Sequence, residues 1–202
     1  MHDYGLNILF EKRYDMKTIK LVMIGMLSSM SLALMWAGFP IIPLAPYLKY
    51  EPSDIPLMIA SMIYGPLTGL IALVIKNSLY FFVHGGNIFG IFMNFCASGT
   101  FLLIMRLFYK KTNIFFSAGI GTIAMALITI PLNVMIVPLE FGMDVNKVWA
   151  MILPVYIPFN LIKGALNTIL FILVWSQVKK RVYSSSLADR IPLKTEGDTI
   201  ES

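Results

Sequence analysis

Long apolar runs recur along this chain, and they constrain its fold more than any other feature. A helix needs about 20 apolar residues to cross the hydrocarbon core of a bilayer. Of the 202 residues, 57% are hydrophobic and 13% are charged, so the chain cannot be wetted as a soluble domain must be. The runs lie near residues 18–37, 54–64, 66–83, 88–108, 114–138 and 150–177. They predict an all-α integral membrane protein.

The basic residues flank the apolar runs, which predicts orientation rather than nucleic-acid binding despite a net charge of +5. Three clusters precede the first run, close the fourth and follow the last: Lys12, Arg13, Lys17 and Lys20; Arg106, Lys110 and Lys111; Lys179, Lys180 and Arg181. If all three are cytoplasmic, an even number of crossings separates the first two. The stretch 54–83 must then cross twice, with a break at Gly65–Pro66.

The sequence therefore predicts six transmembrane helices with both termini in the cytoplasm, in the inner (cytoplasmic) membrane of the cell. Residues 1–183 form one membrane domain in this interpretation, with a first loop over 38–53. A polar cytoplasmic tail follows over 184–202.

Several polar side chains interrupt the apolar runs, where they are costly and usually functional. They are Lys76, Asn77, Asn94, Asn133, Asn160 and Lys163, with Asn167 one turn deeper. At about 1.5 Å per residue, the predicted topology puts the first six at a similar depth on the outer side. The pattern indicates a cup that opens outward. The alternative is that each asparagine only joins neighbouring helices.

The chemistry of this cup favours binding over catalysis or proton coupling. An asparagine offers both an acceptor and a donor, which suits a ligand edge that alternates C=O and N–H groups. We find no Asp or Glu deep in any run, and a proton-coupled carrier normally needs one. No metal-ligand spacing, catalytic pair or phosphate loop is present, so the sequence predicts neither an enzyme nor a metal site.

The first loop is rigid and apolar. Five prolines fall within the eighteen residues from Phe39 to Pro56, and proline lowers the entropy lost when a loop becomes ordered. Such a loop above a polar cup predicts a lid that stacks on a flat ligand, although a stiff connector is the alternative. Ser53 and Asp54 are expected to cap the following helix.

Four segments together resemble a known family. They are FPIIPLAPYLKYEPSDIP at 39–56, KNSLYFFVHGG at 76–86, MNFCASGTFLL at 93–103 and the N-x-x-K of Asn160 and Lys163. This combination is similar to the riboflavin-specific substrate-binding (S) component of energy-coupling factor (ECF) transporters. The resemblance implies that Asn94, Asn133, Asn160 and Lys163 contact riboflavin as the transported ligand, with no resident cofactor.

The resemblance also implies that the loop around Leu44 and Ala45 closes over the vitamin. It further implies partners: a transmembrane coupling (T) subunit and two ATPase subunits.

A stripe of small residues is a candidate docking face for such a partner. Gly25, Ser29, Ala33 and Ala37 repeat every four residues on the first run, which lets another helix approach closely. The pair Ala33 and Ala37 is similar to the coupling motif of the family. Packing within the bundle is the alternative explanation of the same spacing.

Other functions stay open on the sequence alone. The ligand could be another vitamin, such as thiamine or biotin, and no sequence feature excludes the phosphate of FMN. A structural membrane subunit or an intramembrane enzyme belongs to a different class, and the latter needs a nucleophile with a base at one depth. Loss of ligand affinity on changing Asn160 and Lys163 would separate a receptor from a structural subunit.

Overall fold

The computed structural model describes residues 3–85 and 87–184, with side chains from residue 17 to residue 181 apart from Gly86. The α-helices are α1 Asp3–Met35, α2 Asp54–Tyr64, α3 Pro66–His84, α4 Ile88–Tyr109, α5 Ile114–Phe141, α6 Val145–Met151 and α7 Ile157–Ser184. Two short antiparallel strands, β1 Phe39–Pro40 and β2 Lys49–Tyr50, close the first loop. The tail was predicted over 184–202; Ser184 is the last residue of α7, and residues 185–202 lie outside the described residues.

A one-residue turn separates α2 from α3, at the break predicted from sequence. Gly65 has φ +96°, a conformation that side chains with a Cβ rarely adopt. Pro66 is the first residue of α3, where its missing N–H has no helical partner to lose. The predicted break at Gly65–Pro66 is therefore confirmed, and α2 and α3 form a helical hairpin.

Five helical segments are long and apolar enough to span a membrane within the described chain. They are Lys17–Met35, Pro66–His84, Ile88–Tyr109, Ile114–Phe141 and Val145–Arg181. The remaining helix, α2, has 11 residues, about 16 Å of rise against a hydrocarbon core of about 30 Å. Residues 54–63 of α2 are all buried, so this helix lies inside the bundle rather than against lipid.

Contacts between helix ends show how the bundle is arranged. The ring centroids of Trp36, just after α1, and His84, the last residue of α3, are 5.1 Å apart. Asn87 Nδ2, before α4, donates to Glu140 Oε1 in the last turn of α5 at 2.6 Å. We call this end of the bundle the cavity end, because the cavity described below opens there.

The opposite end carries the basic clusters. There Arg106 Nε, near the end of α4, donates to the carbonyl oxygen of Ser61 in α2. Lys110 and Lys111 follow α4 on the same side, and we call this the basic end. Helices α1 and α3 thus run toward the cavity end, whereas α2 runs back toward the basic end.

The last apolar run is longer than predicted and contains an irregular turn. Helical structure continues from Val145 to Ser184, interrupted by a π-helical turn at Ile152–Tyr156. Such turns widen a helix by one residue and are frequent at functional sites. This turn directs Tyr156 into a buried cluster beneath the first loop, with Ala45, Val137 and Val148.

Candidate ligand-binding site

A cavity of about 330 Å³ opens at the cavity end of the bundle, within the about 300–1,000 Å³ typical of small-molecule pockets. The first loop, the ends of α1 and α3, and helices α4, α5 and α7 surround it. Its lining residues include Tyr47, Leu48, Lys49, Glu51, Tyr80, Asn94, Asn133, Glu140, Phe141, Tyr156, Phe159, Asn160 and Lys163. The four side chains that the resemblance assigned to the ligand therefore meet in one cavity, although their contact with a ligand stays a prediction.

The cavity has a buried floor and an exposed mouth. Asn133, Tyr156, Phe159, Asn160 and Lys163 are all buried. The mouth is formed by residues with exposed or half-buried side chains, among them Lys49, Asn87, Glu140 and Phe141. A long ligand would place its polar edge against the floor and its other end at the mouth.

Two asparagines of the floor have amides whose orientation is fixed by hydrogen bonds. Asn133 Nδ2 donates to the carbonyl oxygen of Thr129 at 2.7 Å. Asn160 Nδ2 donates to the carbonyl oxygen of Tyr156 at 2.8 Å and to Thr129 Oγ1 at 2.9 Å. Because a main-chain carbonyl can only accept, these bonds orient both amides. Asn133 Oδ1 is buried without a hydrogen-bond partner among the described residues, so its capacity to accept a hydrogen bond is unused.

Lys76 orients the third amide rather than lining the cavity. Its Nζ donates to Asn94 Oδ1 at 3.0 Å and to Ser53 Oγ at 3.3 Å. The bond from Lys76 occupies the carbonyl oxygen of Asn94, which leaves the amide N–H groups of Asn94 as donors on the cavity wall. The sequence predicted Lys76 as a ligand contact; in the structure it lies behind Asn94 and outside the cavity lining of the described chain.

Asp54 is the largest departure from the sequence analysis. It was expected only to cap a helix, yet the folded chain buries it completely. Asp54 Oδ2 lies 3.6 Å from Lys163 Nζ and accepts a hydrogen bond from Asn167 Nδ2 at 2.9 Å. Ser53 occupies the N-cap position, but its side chain makes no capping bond to any described residue of α2. A buried lysine keeps its charge most readily beside such a carboxylate.

The first loop covers part of the cavity, but with other residues than expected. Tyr47 Oη and Tyr156 Oη are 2.6 Å apart, and the ring of Tyr47 also packs on Phe141. Leu44 is 72% exposed, and Ala45 is buried in the cluster under the loop. Within the described chain, Leu44 and Ala45 are not part of the cavity lining.

Two loop residues have shifted acid–base behaviour. Burial raises the pKa of the Glu51 carboxyl, against the opposing effect of nearby Lys163 and Lys76. Burial, with a smaller effect from the Asp54 carboxylate, raises the pKa of the Tyr50 phenol to about 12. Tyr50 therefore stays protonated at neutral pH, and its O–H donates to Asn167 Oδ1 at 3.2 Å.

The remaining predicted residues lie outside the cavity. Asn77 is buried on α3, and neither polar atom of its amide has a hydrogen-bond partner among the described residues. The small-residue stripe of Gly25, Ser29, Ala33 and Ala37 is exposed along its length. The described residues thus leave the stripe uncovered, and packing among them does not explain its spacing.

The sequence analysis missed several residues of the site. Tyr47, Glu51, Glu140, Tyr156 and Phe159 line the cavity, and none of them was singled out from the sequence as a site residue. Tyr156 precedes Asn160 by one helical turn, so it shares a helix face with Asn160 and Lys163. This spacing is a signal that could have identified Tyr156 from the sequence. Among the described residues, no group of three His, Cys, Asp or Glu side chains could hold a metal ion.

Comparison with known proteins decides the family. Residues 19–175 match the family described as the substrate-specific component of ECF transporters. The chain belongs to this family. The resemblance noted from sequence is confirmed at that level, and this S component is a multi-pass membrane protein and a transporter component rather than an enzyme.

Relatives of known name cover most of the S component. It is 35% identical to the riboflavin transporter FmnP of Bacillus subtilis (strain 168), over 81% of this chain and 94% of the relative. It is 34% identical to the riboflavin transporter RibU of Staphylococcus aureus (strain TCH60), over 79% and 89% respectively. A solved S component of a bacterial ECF transporter superposes with a TM-score of 0.73 at 33% identity, covering 82% of this chain and 98% of that one.

Proposed function

We propose that this S component binds riboflavin in the cavity, on the outer side of the membrane, for import driven by partner ATPases. The observation that carries the proposal is the floor of the cavity. Two oriented carbonyl oxygens, from Asn133 and Asn160, lie there with two donors, from Asn94 and Lys163. The flat flavin ring has an edge that alternates C=O, N–H and C=O, which this set of acceptors and donors matches. The named relatives are riboflavin transporters.

The walls of the cavity also favour an aromatic ligand. Tyr47, Tyr80, Phe141, Tyr156 and Phe159 line it, and aromatic side chains stack well on flat rings. Thiamine is a cation and would meet the Lys163 ammonium, so its binding is disfavoured. Biotin offers N–H and C=O groups but no flat aromatic surface. FMN shares the ring of riboflavin and differs by its phosphate.

Equilibrium titration tests the proposed ligand. Riboflavin fluorescence is followed in detergent against the wild type and the double variant Asn133→Ala with Asn160→Ala. Removing both acceptors should cost about 1–3 kcal/mol, a loss of affinity of about 5-fold to 150-fold. Asn77→Ala is the matched control, because it removes a buried amide outside the cavity. A wild type that binds thiamine or biotin tightly and riboflavin weakly would overturn the ligand assignment.

Topology is part of the same proposal. We infer six crossings with both termini in the cytoplasm, because the cavity end and the basic end alternate along the chain as the positive-inside rule requires. Helix α2 then crosses inside the bundle, where short length is tolerated because protein rather than lipid surrounds it. Labelling of single cysteines from each side of the inner membrane tests the assignment. Labelling of the loop 110–113 from the outside would contradict it.

Docking to a coupling subunit uses the exposed small-residue stripe in this proposal. Gly25 has no neighbouring atom within 4 Å of where a Cβ would lie, so another helix could approach α1 closely. Ala33→Leu should spare riboflavin binding and abolish co-purification with the coupling subunit and its two ATPase subunits. Ala165→Leu, the same change at an exposed alanine of α7, is the control. If both variants co-purify equally with the partners, the stripe is not the docking face. If the wild type functions without such partners, the protein is a structural subunit.

A further inference from the structure

A carboxylate that does not line the cavity lies directly behind its ammonium group. Asp54 Oδ2 is 3.6 Å from Lys163 Nζ, and both side chains are buried. A lysine buried without a counter-charge tends to lose its proton or to turn toward water. Either change would remove a donor from the cavity floor. Asp54 therefore acts on the cavity through Lys163.

A chain of hydrogen bonds holds Asp54 to the first loop. Asn167 Nδ2 donates to Asp54 Oδ2 at 2.9 Å, and Tyr50 Oη donates to Asn167 Oδ1 at 3.2 Å. Tyr50 lies in β2, one of the two strands that close the loop, and pairs with Phe39. The direction of the Lys163 ammonium is thus linked to the position of this strand.

The neighbouring loop residue acts on the second donor in the same way. Ser53 Oγ accepts from Lys76 Nζ, which also donates to Asn94 Oδ1. The carbonyl oxygen of Ser53 in turn accepts from Ser31 Oγ of α1. Both donors of the cavity, on α4 and α7, therefore depend on the segment that joins β2 to α2.

We propose that Asp54 is a positioning residue for ligand binding, which holds the Lys163 side chain directed at the ligand as long as β2 is in place. The inference rests on the proposed function and assigns a role to a residue that touches no ligand. The other charged groups near Asp54 are Lys76 on α3 and Glu51 on the loop. Lys76 already has two hydrogen-bond acceptors. Among the described residues Asp54 is the carboxylate within 4.0 Å of Lys163 Nζ, so changing Asp54 removes the salt bridge of Lys163.

A double-mutant cycle tests this role. Riboflavin affinity is measured for the wild type, Asp54→Asn, Lys163→Met and the double variant, in detergent at pH 7. Asp54→Asn alone should weaken binding by about tenfold or more, because it removes the carboxylate that lies 3.6 Å from the buried Lys163 ammonium. In the Lys163→Met background the same change should alter affinity by less than about threefold. Equal losses in both backgrounds would mean a merely structural role and would overturn the inference.

A second cycle serves as the control. Asp54→Asn is combined with Asn133→Ala, which lies on α5 and bonds Thr129. The two effects should multiply, because the residues share no contact. If this cycle departs from additivity as strongly as the cycle with Lys163 does, Asp54→Asn damages the fold in general. The positioning role of Asp54 would then be rejected.

A milder variant covers the case in which Asp54→Asn does not fold. Asn167→Ala removes the N–H that holds the carboxylate but leaves both charges in place. It should weaken riboflavin binding several-fold in the wild type and leave the Lys163→Met protein unchanged. The same loss in both proteins overturns the inference. A wild type that does not bind riboflavin at all rejects the proposed function itself, which separates the two failures.

Discussion

Helices α5 and α7 approach each other closely at Gly164, and this contact positions the cavity floor. A Cβ added to Gly164 would lie 2.8 Å from Thr122 Cβ and closer still to the Oγ1 and Cγ2 atoms of the same side chain. Real Cβ atoms essentially never approach another atom within 3.0 Å. Because Thr122 Cβ is fixed to its backbone, rotation of the side chain cannot remove the clash. Gly164→Ala must therefore push α7 away from α5.

The magnitude follows from two opposing effects. Overpacking of this kind costs about 1–3 kcal/mol, whereas replacing a helical glycine by alanine gains up to about 1 kcal/mol. Gly119→Ala on α5 isolates the second effect, since among the described residues no atom beyond its chain neighbours and the backbone of its own helix lies within 4 Å of its added Cβ. Gly164→Ala should therefore be about 1–3 kcal/mol less stable than Gly119→Ala. Riboflavin affinity should also fall, because Asn160 and Lys163 move with α7 while Asn133 stays on α5.

Thermal unfolding in detergent and riboflavin titration measure both effects. Thr122→Ala combined with Gly164→Ala removes two of the three close atoms and should recover part of the lost stability. If Gly164→Ala matches Gly119→Ala in both stability and affinity, the close approach of α5 and α7 is not what positions the floor.

Three further predictions concern charged side chains around the cavity. Lys76→Met should weaken riboflavin binding about tenfold, because Asn94 loses the hydrogen bond that orients it; an unchanged titration would contradict this role. Burial raises the pKa of Glu51 above 4.5, so the folded state binds this proton more tightly than the unfolded state does. The stability that this proton contributes is fully present below pH 4.5 and should be lost as the pH rises through the raised pKa. Glu51→Gln should remove that loss in thermal unfolding between pH 4.5 and 8, and an unaltered pH slope would refute it. Glu140→Gln should reduce the preference for riboflavin over FMN by up to about fivefold at low salt, because the phosphate of FMN at the mouth would no longer meet a carboxylate. If the ratio of the two affinities is the same in the wild type and the variant, the phosphate does not lie near Glu140.

Much of the fold followed from local properties of the chain. Hydropathy alone located the apolar helices, because the bilayer requires each segment to satisfy its own backbone hydrogen bonds. The break at Gly65–Pro66 was readable because these two residue types act on the backbone where they stand. Depth in the membrane also pointed to the four side chains that line the cavity, because helix rise converts sequence position into depth. They are Asn94, Asn133, Asn160 and Lys163.

Other features depended on which surfaces the bundle brings together. The sequence predicted Lys76, Asn77, Leu44 and Ala45 as ligand contacts from depth or from the resemblance, but depth does not tell which way a helix face points. In the structure Lys76 lies behind Asn94, and the three others lie outside the cavity lining of the described chain.

Asp54 shows most clearly what the sequence by itself determined and what only the tertiary structure decided. Its position at the start of a helix was evident from the chain, and so was the presence of lysines in later apolar runs. That it would be buried as the counter-charge of Lys163 was not evident, because its hydrogen-bond partner Asn167 is 113 residues away. A local pattern can show that a charge needs a partner, but only the packing of α2 inside the bundle selects which carboxylate supplies it.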